Sequence, residues 1–227
     1  MSMTIMEAME VRHSVRQYTG QKIPDEIAGR LKEEIAACNE ESGLHIQLVT
    51  DEPKAFGSMM AHYGKFSGVR NYIALVGPRS GKLDELCGYY GERLVLLAQA
   101  LGLNTCWVAM TFSKGAAKKR LSIAGGEKLV IVISLGYGAV QGVPHKSKRA
   151  EDLAPDSGQA PEWFRAGVAA AMLAPTAMNQ QKFRLTPGDA RVRAQSLGGF
   201  CSKIDLGIVK YHFEQGSGKG PSIWAEG

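Results

Sequence analysis

Arg12, Ser14 and Arg16 form the densest polar cluster of the sequence, in the run Arg12-His13-Ser14-Val15-Arg16. In an extended backbone, side chains two positions apart share a face, so these three would point one way and His13 and Val15 the other. Two planar guanidiniums and a hydroxyl suit a phosphate, whose oxygens accept bidentate hydrogen bonds. Taken in isolation, however, the string favours a solvated turn whose arginines pair with surface carboxylates.

A second group of cations follows an apolar run that is broken by glycines. Lys146 and Lys148, with Arg149 beside them, come shortly after the glycine-rich stretch 136–142. A lysine pair in such a place is most often part of a solvated loop. The pair becomes a candidate for ligand binding only if the fold brings it next to Arg16.

The third polar segment, residues 174–183, reads Ala-Pro-Thr-Ala-Met-Asn-Gln-Gln-Lys-Phe. Its Thr176, Asn179 and Gln181 supply hydrogen-bond donors and acceptors, which suits the edge of a heterocycle better than a bare phosphate. Without context, an ordinary loop between a helix and a strand is the more common outcome for a short motif.

Other catalytic and metal-binding signatures do not occur in the sequence. No Ser-His-Asp or Cys-His arrangement has a recognisable local pattern, and no Gly-x-Gly-x-x-Gly follows a predicted strand. The cysteines have no Cys-x-x-Cys spacing and no histidine at zinc-ligand spacing, so we expect buried thiols, no disulfide and no metal site. They are Cys38, Cys87, Cys106 and Cys201.

Length and composition are those of a globular chain. Its 227 residues, 44% apolar and 22% charged, suffice for one full domain or two small ones around a sizeable core. Lys and Arg number 27 against 22 Asp and Glu, and this net charge of +5 admits an anionic small ligand without indicating nucleic acid. The apolar runs fall far short of the ~20 residues that span a bilayer. The first residues lack a secretory-signal pattern, so we expect no membrane insertion and a cytoplasmic location.

The polar segments must be positioned by a series of helices and strands. Capping signals and apolar spacing predict helices over residues 4–11, 24–38, 91–103, 118–121, 161–174 and 205–213, with a helix-like stretch at 56–62. Alternating or continuous apolar character predicts strands over residues 45–49, 71–77, 105–110, 128–135 and 183–186.

The chain divides most clearly after the fourth predicted strand. Residues 144–160 are rich in Pro, Gly and charge, which indicates a connection without a packed element. The order of helix, polar loop and short strand that ends near residue 49 recurs after residue 161, a hint of internal duplication. We therefore predict a first half, 1–143, a connection, 144–160, and a shortened second half, 161–227.

Four motifs together resemble the FMN-dependent nitroreductase family. They are Arg12-His-Ser-Val-Arg16, the helix and strand of residues 91–108, Lys146-Ser-Lys148 and Pro175-Thr-Ala-Met-Asn-Gln-Gln181. They extend over nearly the whole chain, and their joint occurrence is far more specific than any one of them. The resemblance implies an α+β nitroreductase-like fold, with a mixed β-sheet flanked by helices.

One departure from the usual family pattern is informative. Ordinary members carry a Pro-Ser/Thr-x-x-Asn-x-Gln motif soon after the arginine motif, where this chain has Cys38-Asn-Glu-Glu-Ser-Gly43. Those members are usually homodimers in which each subunit contributes one motif to a flavin at the interface. The resemblance is therefore to the fused TM nitroreductase type, an internally duplicated monomer, or pseudo-dimer, whose second half supplies the missing loop. A homodimer is the alternative.

The resemblance implies FMN contacts at matched positions. Arg12, His13, Ser14 and Arg16, with Lys146 and Lys148, would hold the phosphate and the pyrimidine edge of the flavin. The late loop would meet the flavin through Pro175, Thr176, Ala177, Asn179 and Gln181. The segment Trp107-Val108-Ala109 would aim a backbone amide at the reactive nitrogen, and Asn71 is a further candidate for the ring.

The implied activity is that of an FMN-dependent oxidoreductase. It passes hydride from NADH or NADPH through the flavin to a small-molecule acceptor such as a nitroaromatic or a quinone, and it needs no catalytic side chain. A flavin-binding sensor or carrier without turnover is the alternative, because segment 107–109 departs from the family pattern. Nucleic-acid binding through the basic balance is a third, weaker alternative.

Overall fold

The computed structural model describes residues 3–188 and 190–225. They form two compact units that are interleaved along the chain. Unit 1 contains Met3, Val11–Leu83 and Leu94–Pro144, and unit 2 contains Thr4–Glu10, Asp84–Arg93 and residues 145–225 apart from 189. Within these ranges, no helix combines the length and the apolar character needed to cross a membrane.

The described residues contain eight α-helices and six strands. The helices are α1 (Ile5–Val11), α2 (Asp25–Ser42), α3 (Met59–Tyr63), α4 (Leu83–Ala100), α5 (Lys114–Lys118), α6 (Ala150–Leu153), α7 (Glu162–Ala171) and α8 (Ser202–Ser217). The strands are β1 (Gln47–Val49), β2 (Asn71–Pro78), β3 (Asn104–Val108), β4 (Glu127–Gly136), β5 (Phe183–Pro187) and β6 (Val192–Ser196).

Unit 1 is built on a four-stranded antiparallel sheet in the order β1-β2-β4-β3. Residues 71–77 of β2 and 131–136 of β4 are all buried, so both faces of the central strands are covered. One face of β2 contributes Tyr72 to a core that also contains Phe56, Phe66 and Phe112. The parallel pairings of unit 1 are single bridges, which include Ser14 to Thr105.

Unit 2 is mainly helical and carries the β5–β6 hairpin. Its helices α7 and α8 pack against each other, and their aromatic rings meet in the interior, with 5.5 Å between the centroids of Phe164 and Phe213. Trp224 packs on Phe213 at 5.2 Å between centroids. His212 of α8 and Glu92 of α4 are 0% exposed and hydrogen-bonded, with 2.9 Å between Nε2 and Oε1.

The observed elements differ most from the predicted ones in four places. Helix α5 spans Lys114–Lys118, so the helix predicted over residues 118–121 is wrong. Helix α4 begins at Leu83 instead of residue 91. The prediction began too late because Gly88 weakens the helical pattern in sequence, although in the structure it lies on a buried face of the helix. Strand β6 is not predicted, since it is short and polar and is completed only by pairing with β5. Residues 144–160 contain α6, whose Leu153 is 1% exposed, where no packed element is predicted.

Glycine allows α8 to approach α4 closely within unit 2. A Cβ on Gly207 would clash with the carbonyl oxygen of Glu85, and one on Gly88 with that of Ile204. We expect Gly207→Ala to lower the free energy of unfolding by about 1–3 kcal/mol through overpacking, although alanine is the better helix former. Urea unfolding followed by circular dichroism measures this change.

Gly29 of α2 supplies the matched control, because a Cβ at this helical glycine meets no atom within 4 Å. Gly29→Ala should raise the free energy of unfolding by up to about 1 kcal/mol, since only helix propensity changes. If both substitutions stabilised the protein, the close approach of α8 to α4 would be wrong.

Candidate functional site

Residues 14–19 of unit 1 pair first with Thr105 of β3 and then with Ser67 and the residues that follow β4. The Val15 N–H donates to the Thr105 carbonyl at 3.0 Å, and the Tyr18 N–H donates to the Ser67 carbonyl at 2.9 Å. The Tyr18 hydroxyl donates back to the Val15 carbonyl at 2.8 Å. The arginine motif is therefore fixed by backbone hydrogen bonds on two sides.

Cys106 of β3 lies near the polar side chains of this motif. Its thiol donates to the Trp107 carbonyl at 3.5 Å, and Arg16, Ser14 and Arg12 are near enough to favour its ionised form. Burial raises the pKa of the Cys106 thiol, and Arg16, Ser14 and Arg12 oppose this rise. Arg12, Ser14 and Arg16 thus share one neighbourhood, as their two-residue spacing indicates.

The three motif residues differ in exposure. Arg12 is 4% exposed, whereas Ser14 and Arg16 are exposed on the surface of unit 1. The Arg16 guanidinium carbon lies 6.0 Å from the centroid of the Phe66 ring, which supports it. A Cβ on Gly142 would come within 2.9 Å of the Ser14 carbonyl, so the loop after β4 approaches closely. Unit 1 thus presents a hydroxyl and a guanidinium on a fixed backbone, with a second guanidinium buried beside them.

Asn71 begins β2 and is 6% exposed. Its Oδ1 accepts the Asp51 N–H at 3.1 Å, and its Nδ2 donates to the Leu135 carbonyl at 3.4 Å. These bonds fix the amide within unit 1. A contact between Asn71 and a flavin ring stays a prediction.

Segment 107–109 forms the end of β3. Trp107 and Val108 pair with Ile133 and Val132 of β4, and Ala109 is the first residue after the strand. Val108 is 2% exposed, so only its flanking residues have accessible surface. The proposed backbone amide contact of this segment is a prediction as well.

Gln181 joins the lysine segment to the late polar loop within unit 2. It is 3% exposed, and its Oε1 accepts the Lys148 N–H at 2.8 Å. Its Nε2 donates to the Lys146 carbonyl and to Asn179 Oδ1, each at 2.8 Å. The Lys148 ammonium donates to the Gln181 carbonyl at 3.1 Å. Two segments that the sequence shows separately therefore form one cluster.

The late loop, residues 175–181, has an unusual backbone. Met178, Asn179 and Gln181 have φ angles of 52°, 53° and 45°, in the left-handed region that residues other than glycine seldom adopt. Such conformations cost about 1–3 kcal/mol each and persist where surrounding bonds impose them. One of those bonds runs from the Gln181 N–H to Thr176 Oγ1 at 3.0 Å.

Asp205 of α8 holds the same loop from the other side. Its Oδ1 accepts the Ala177 N–H at 2.9 Å, and its Oδ2 accepts Gln180 Nε2 at 2.7 Å. Burial raises the pKa of Asp205 to about 6, and the hydrogen bonds from Gln180 and Ala177 oppose this rise. Sequence reasoning missed Asp205, which lies inside a helix and belongs to none of the motifs.

Each cluster, taken by itself within its own unit, offers donors that suit one part of a phosphate-bearing heterocycle. The arginine motif supplies guanidinium and hydroxyl groups suited to phosphate oxygens, and the late loop supplies amides suited to ring heteroatoms. The residues present therefore fit FMN. In the part of the chain that the structure describes, no three His, Cys, Asp or Glu side chains could hold a metal ion.

Comparisons with known proteins agree on family and fold. A family model described as "Putative TM nitroreductase" matches residues 4–217. A "putative nitroreductase" structure from Thermotoga maritima has 22% identity and a TM-score of 0.67, over 94% of this chain and 83% of that chain. A "putative nitroreductase in complex with fmn" from Desulfovibrio desulfuricans has 18% identity and a TM-score of 0.53, over 67% of this chain and 96% of that chain. None of the curated proteins is a significant sequence match.

A third similar structure is a nitroreductase-like protein from Streptococcus mutans, with 13% identity, a TM-score of 0.54 and coverage of 65% of this chain and 94% of that chain. At these identities the solved structures show the fold, and they confirm the predicted α+β nitroreductase-like class. The family match extends over nearly the whole chain, and this protein therefore belongs to the TM nitroreductase family.

Proposed function

We propose that the chain binds FMN and passes hydride from NADH or NADPH to a small acceptor such as a nitroaromatic or a quinone. Membership of a nitroreductase family supports a flavin oxidoreductase. FMN is the ligand of the similar Desulfovibrio desulfuricans protein. The observation that carries the proposal is the hydrogen-bonded backbone of residues 15–18, which holds the exposed Ser14 and Arg16 at fixed positions on unit 1.

The arginine motif would bind the FMN phosphate. Arg16 and Ser14 are exposed and donate to phosphate oxygens, and each charge-assisted hydrogen bond contributes about 1.5–3 kcal/mol. Buried Arg12 adds positive charge where no solvent screens it. Lys146 and Lys148, whose side chains are exposed, add long-range attraction for the anion.

The late loop would bind the ring. The Asn179 Nδ2 donates one hydrogen bond to the Lys146 carbonyl, and its Oδ1 accepts one from Gln181 Nε2. A second donor and a second acceptor of the same amide are left for a heterocycle. The left-handed backbone holds this amide in place before any ligand arrives, which lowers the entropy lost on binding.

When bound, FMN would supply the acceptance and release of hydride that side chains lack. The tasks left to the protein are to hold the cofactor and to keep one of its faces open to nicotinamide and acceptor in turn. The pseudo-dimeric organisation, its boundaries at residues 143 and 161 and the cytoplasmic location stay predictions.

The absorption spectrum of the protein after gel filtration with FMN tests the proposal. We expect a retained two-band visible spectrum and steady NADH or NADPH consumption with a nitro compound. A retained spectrum without consumption would support the alternative, a flavin-binding protein without turnover. A colourless protein would contradict both functions.

A further inference from the structure

We infer that Asp205 is a positioning residue through which proton binding and FMN binding are coupled. The inference rests on the proposed function and deepens it by naming a regulation of the same site. Asp205 acts through the late loop, residues 175–181, and touches no part of the ligand itself. All contacts that carry the inference lie within unit 2.

Asp205 ties the loop to α8 at two points. It is 5% exposed in the first turn of α8, where one oxygen accepts the Ala177 N–H and the other accepts the Gln180 amide. The same Gln180 Nε2 also donates to the Phe200 carbonyl at 2.7 Å. The carboxylate therefore fixes a main-chain group near the start of the loop and a side chain near its end.

The loop needs these anchors because its backbone is strained. Met178 and Asn179, which have left-handed φ angles, lie between the two residues that Asp205 holds. Relaxation of either residue would move Asn179, the amide assigned to the ring. The geometry of the ring-binding amide thus depends on Asp205 keeping both hydrogen bonds.

Protonation removes one of these anchors. Both partners of Asp205 are N–H donors, and an ionised carboxylate accepts from both. A protonated carboxyl carries hydrogen on one oxygen, which then faces a donor instead of accepting from it. Gln180 can rotate to offer its Oε1, but it then gives up its bond to the Phe200 carbonyl.

The pKa of Asp205, raised by burial to about 6, places this change within a physiological range. Burial is the largest cause, and only the bonds from Gln180 and Ala177 oppose it, so no neighbouring charge contributes. The charged and titratable groups on the adjoining elements are Cys201, Lys203 and Lys210 around the start of α8, Glu85 and Tyr89 on α4, and Lys146, Lys148 and Lys182 beside the loop.

Protonation of Asp205 should change the stability of the fold and the affinity for FMN in opposite directions. The pKa of Asp205 is higher in the folded protein than its ordinary value of 3.8, so its protonation stabilises the fold as pH falls below about 6. The same protonation loosens the loop and weakens FMN binding. Asp205→Asn, which mimics the protonated group, should therefore weaken FMN binding without loss of stability at neutral pH.

Titration of FMN fluorescence with protein measures the coupling. For the wild type, we expect the Kd to rise about tenfold between pH ~7.5 and pH ~5, which equals about 1.4 kcal/mol. The FMN phosphate also titrates near pH ~6, and it does so equally for every variant. The difference between wild type and Asp205→Asn isolates Asp205, and this variant should bind weakly at both pH values.

Asp156→Asn is the matched control, because Asp156 is an exposed carboxylate of the same unit. It should follow the wild type at every pH. Identical pH dependence in wild type and Asp205→Asn would overturn the inference.

If the wild type retained no FMN, the proposed function would fail separately. The NMR resonance of the Ala177 amide would then test whether Asp205 releases the loop on protonation. We expect this resonance to shift with pH near ~6 in the wild type and not in Asp205→Asn. An Ala177 resonance that did not move with pH would overturn the coupling even so.

Discussion

Arg16→Ala is expected to weaken FMN binding by about 10- to 100-fold, the equivalent of losing one charge-assisted hydrogen bond to phosphate. Arg16 is exposed above the Phe66 ring, next to Ser14 and the Cys106 thiol. Its removal leaves the surrounding backbone bonds in place, so the loss should appear in binding more than in folding. Flavin fluorescence titration gives the Kd of each variant.

Two further variants make the Arg16 result specific. Arg16→Lys keeps the charge and loses the planar fork, so it should bind FMN with an affinity between those of wild type and Arg16→Ala. Arg79→Ala removes an exposed arginine of the same unit outside the motif and should leave the affinity unchanged. An unaltered flavin content in Arg16→Ala would contradict the phosphate assignment.

His212→Ala is expected to lower the free energy of unfolding by about 3–5 kcal/mol, the cost of breaking a buried pair from one side. The His212 Nδ1 lies 3.1 Å from the Ala170 carbonyl, which only accepts, so Nδ1 carries a proton. Its Nε2 lies 2.9 Å from Glu92 Oε1. Alanine would leave a cavity and deprive the fully buried Glu92 of this bond. Urea unfolding reports the change through its midpoint.

His62→Ala provides the comparison, because His62 is exposed on α3, and its effect should stay within about 0.5 kcal/mol. Replacing the pair together, as His212→Leu with Glu92→Met, should cost much less than His212→Ala, since neither side chain of the pair is then left buried without the other. A loss below about 1 kcal/mol in His212→Ala would show that the pair contributes little.

Local sequence patterns predict those elements whose own residues show that they are buried. The central strands β2 and β4 are recognisable because nearly every residue in them is apolar. Strand β6 has buried Val192 between polar residues and depends on β5 for its hydrogen bonds. The start of α4 contains Gly88, whose meaning becomes clear only when α8 packs against it.

The candidate site also has some features that local sequence predicts and others that depend on contacts between distant segments. Residue type and spacing alone identify the arginine motif, the lysine segment and the late loop. The roles of Cys106, Asp205 and the buried Gln181 could not be predicted, because each arises from contacts between segments far apart in sequence. The left-handed backbone at Met178 also has no signature in a non-glycine sequence.

The interleaving of the two units sets the order in which the protein can fold during synthesis. Unit 2 contains residues 4–10 from early in the chain and 84–93 from the first half of α4, but most of its residues follow residue 144. Until α8 leaves the ribosome, the surface of α4 around Glu85 and Gly88, which Gly207 and Ile204 approach in the finished protein, stays uncovered. A nascent chain stalled near residue 144 should therefore be a chaperone substrate, and release of the full chain should end that dependence.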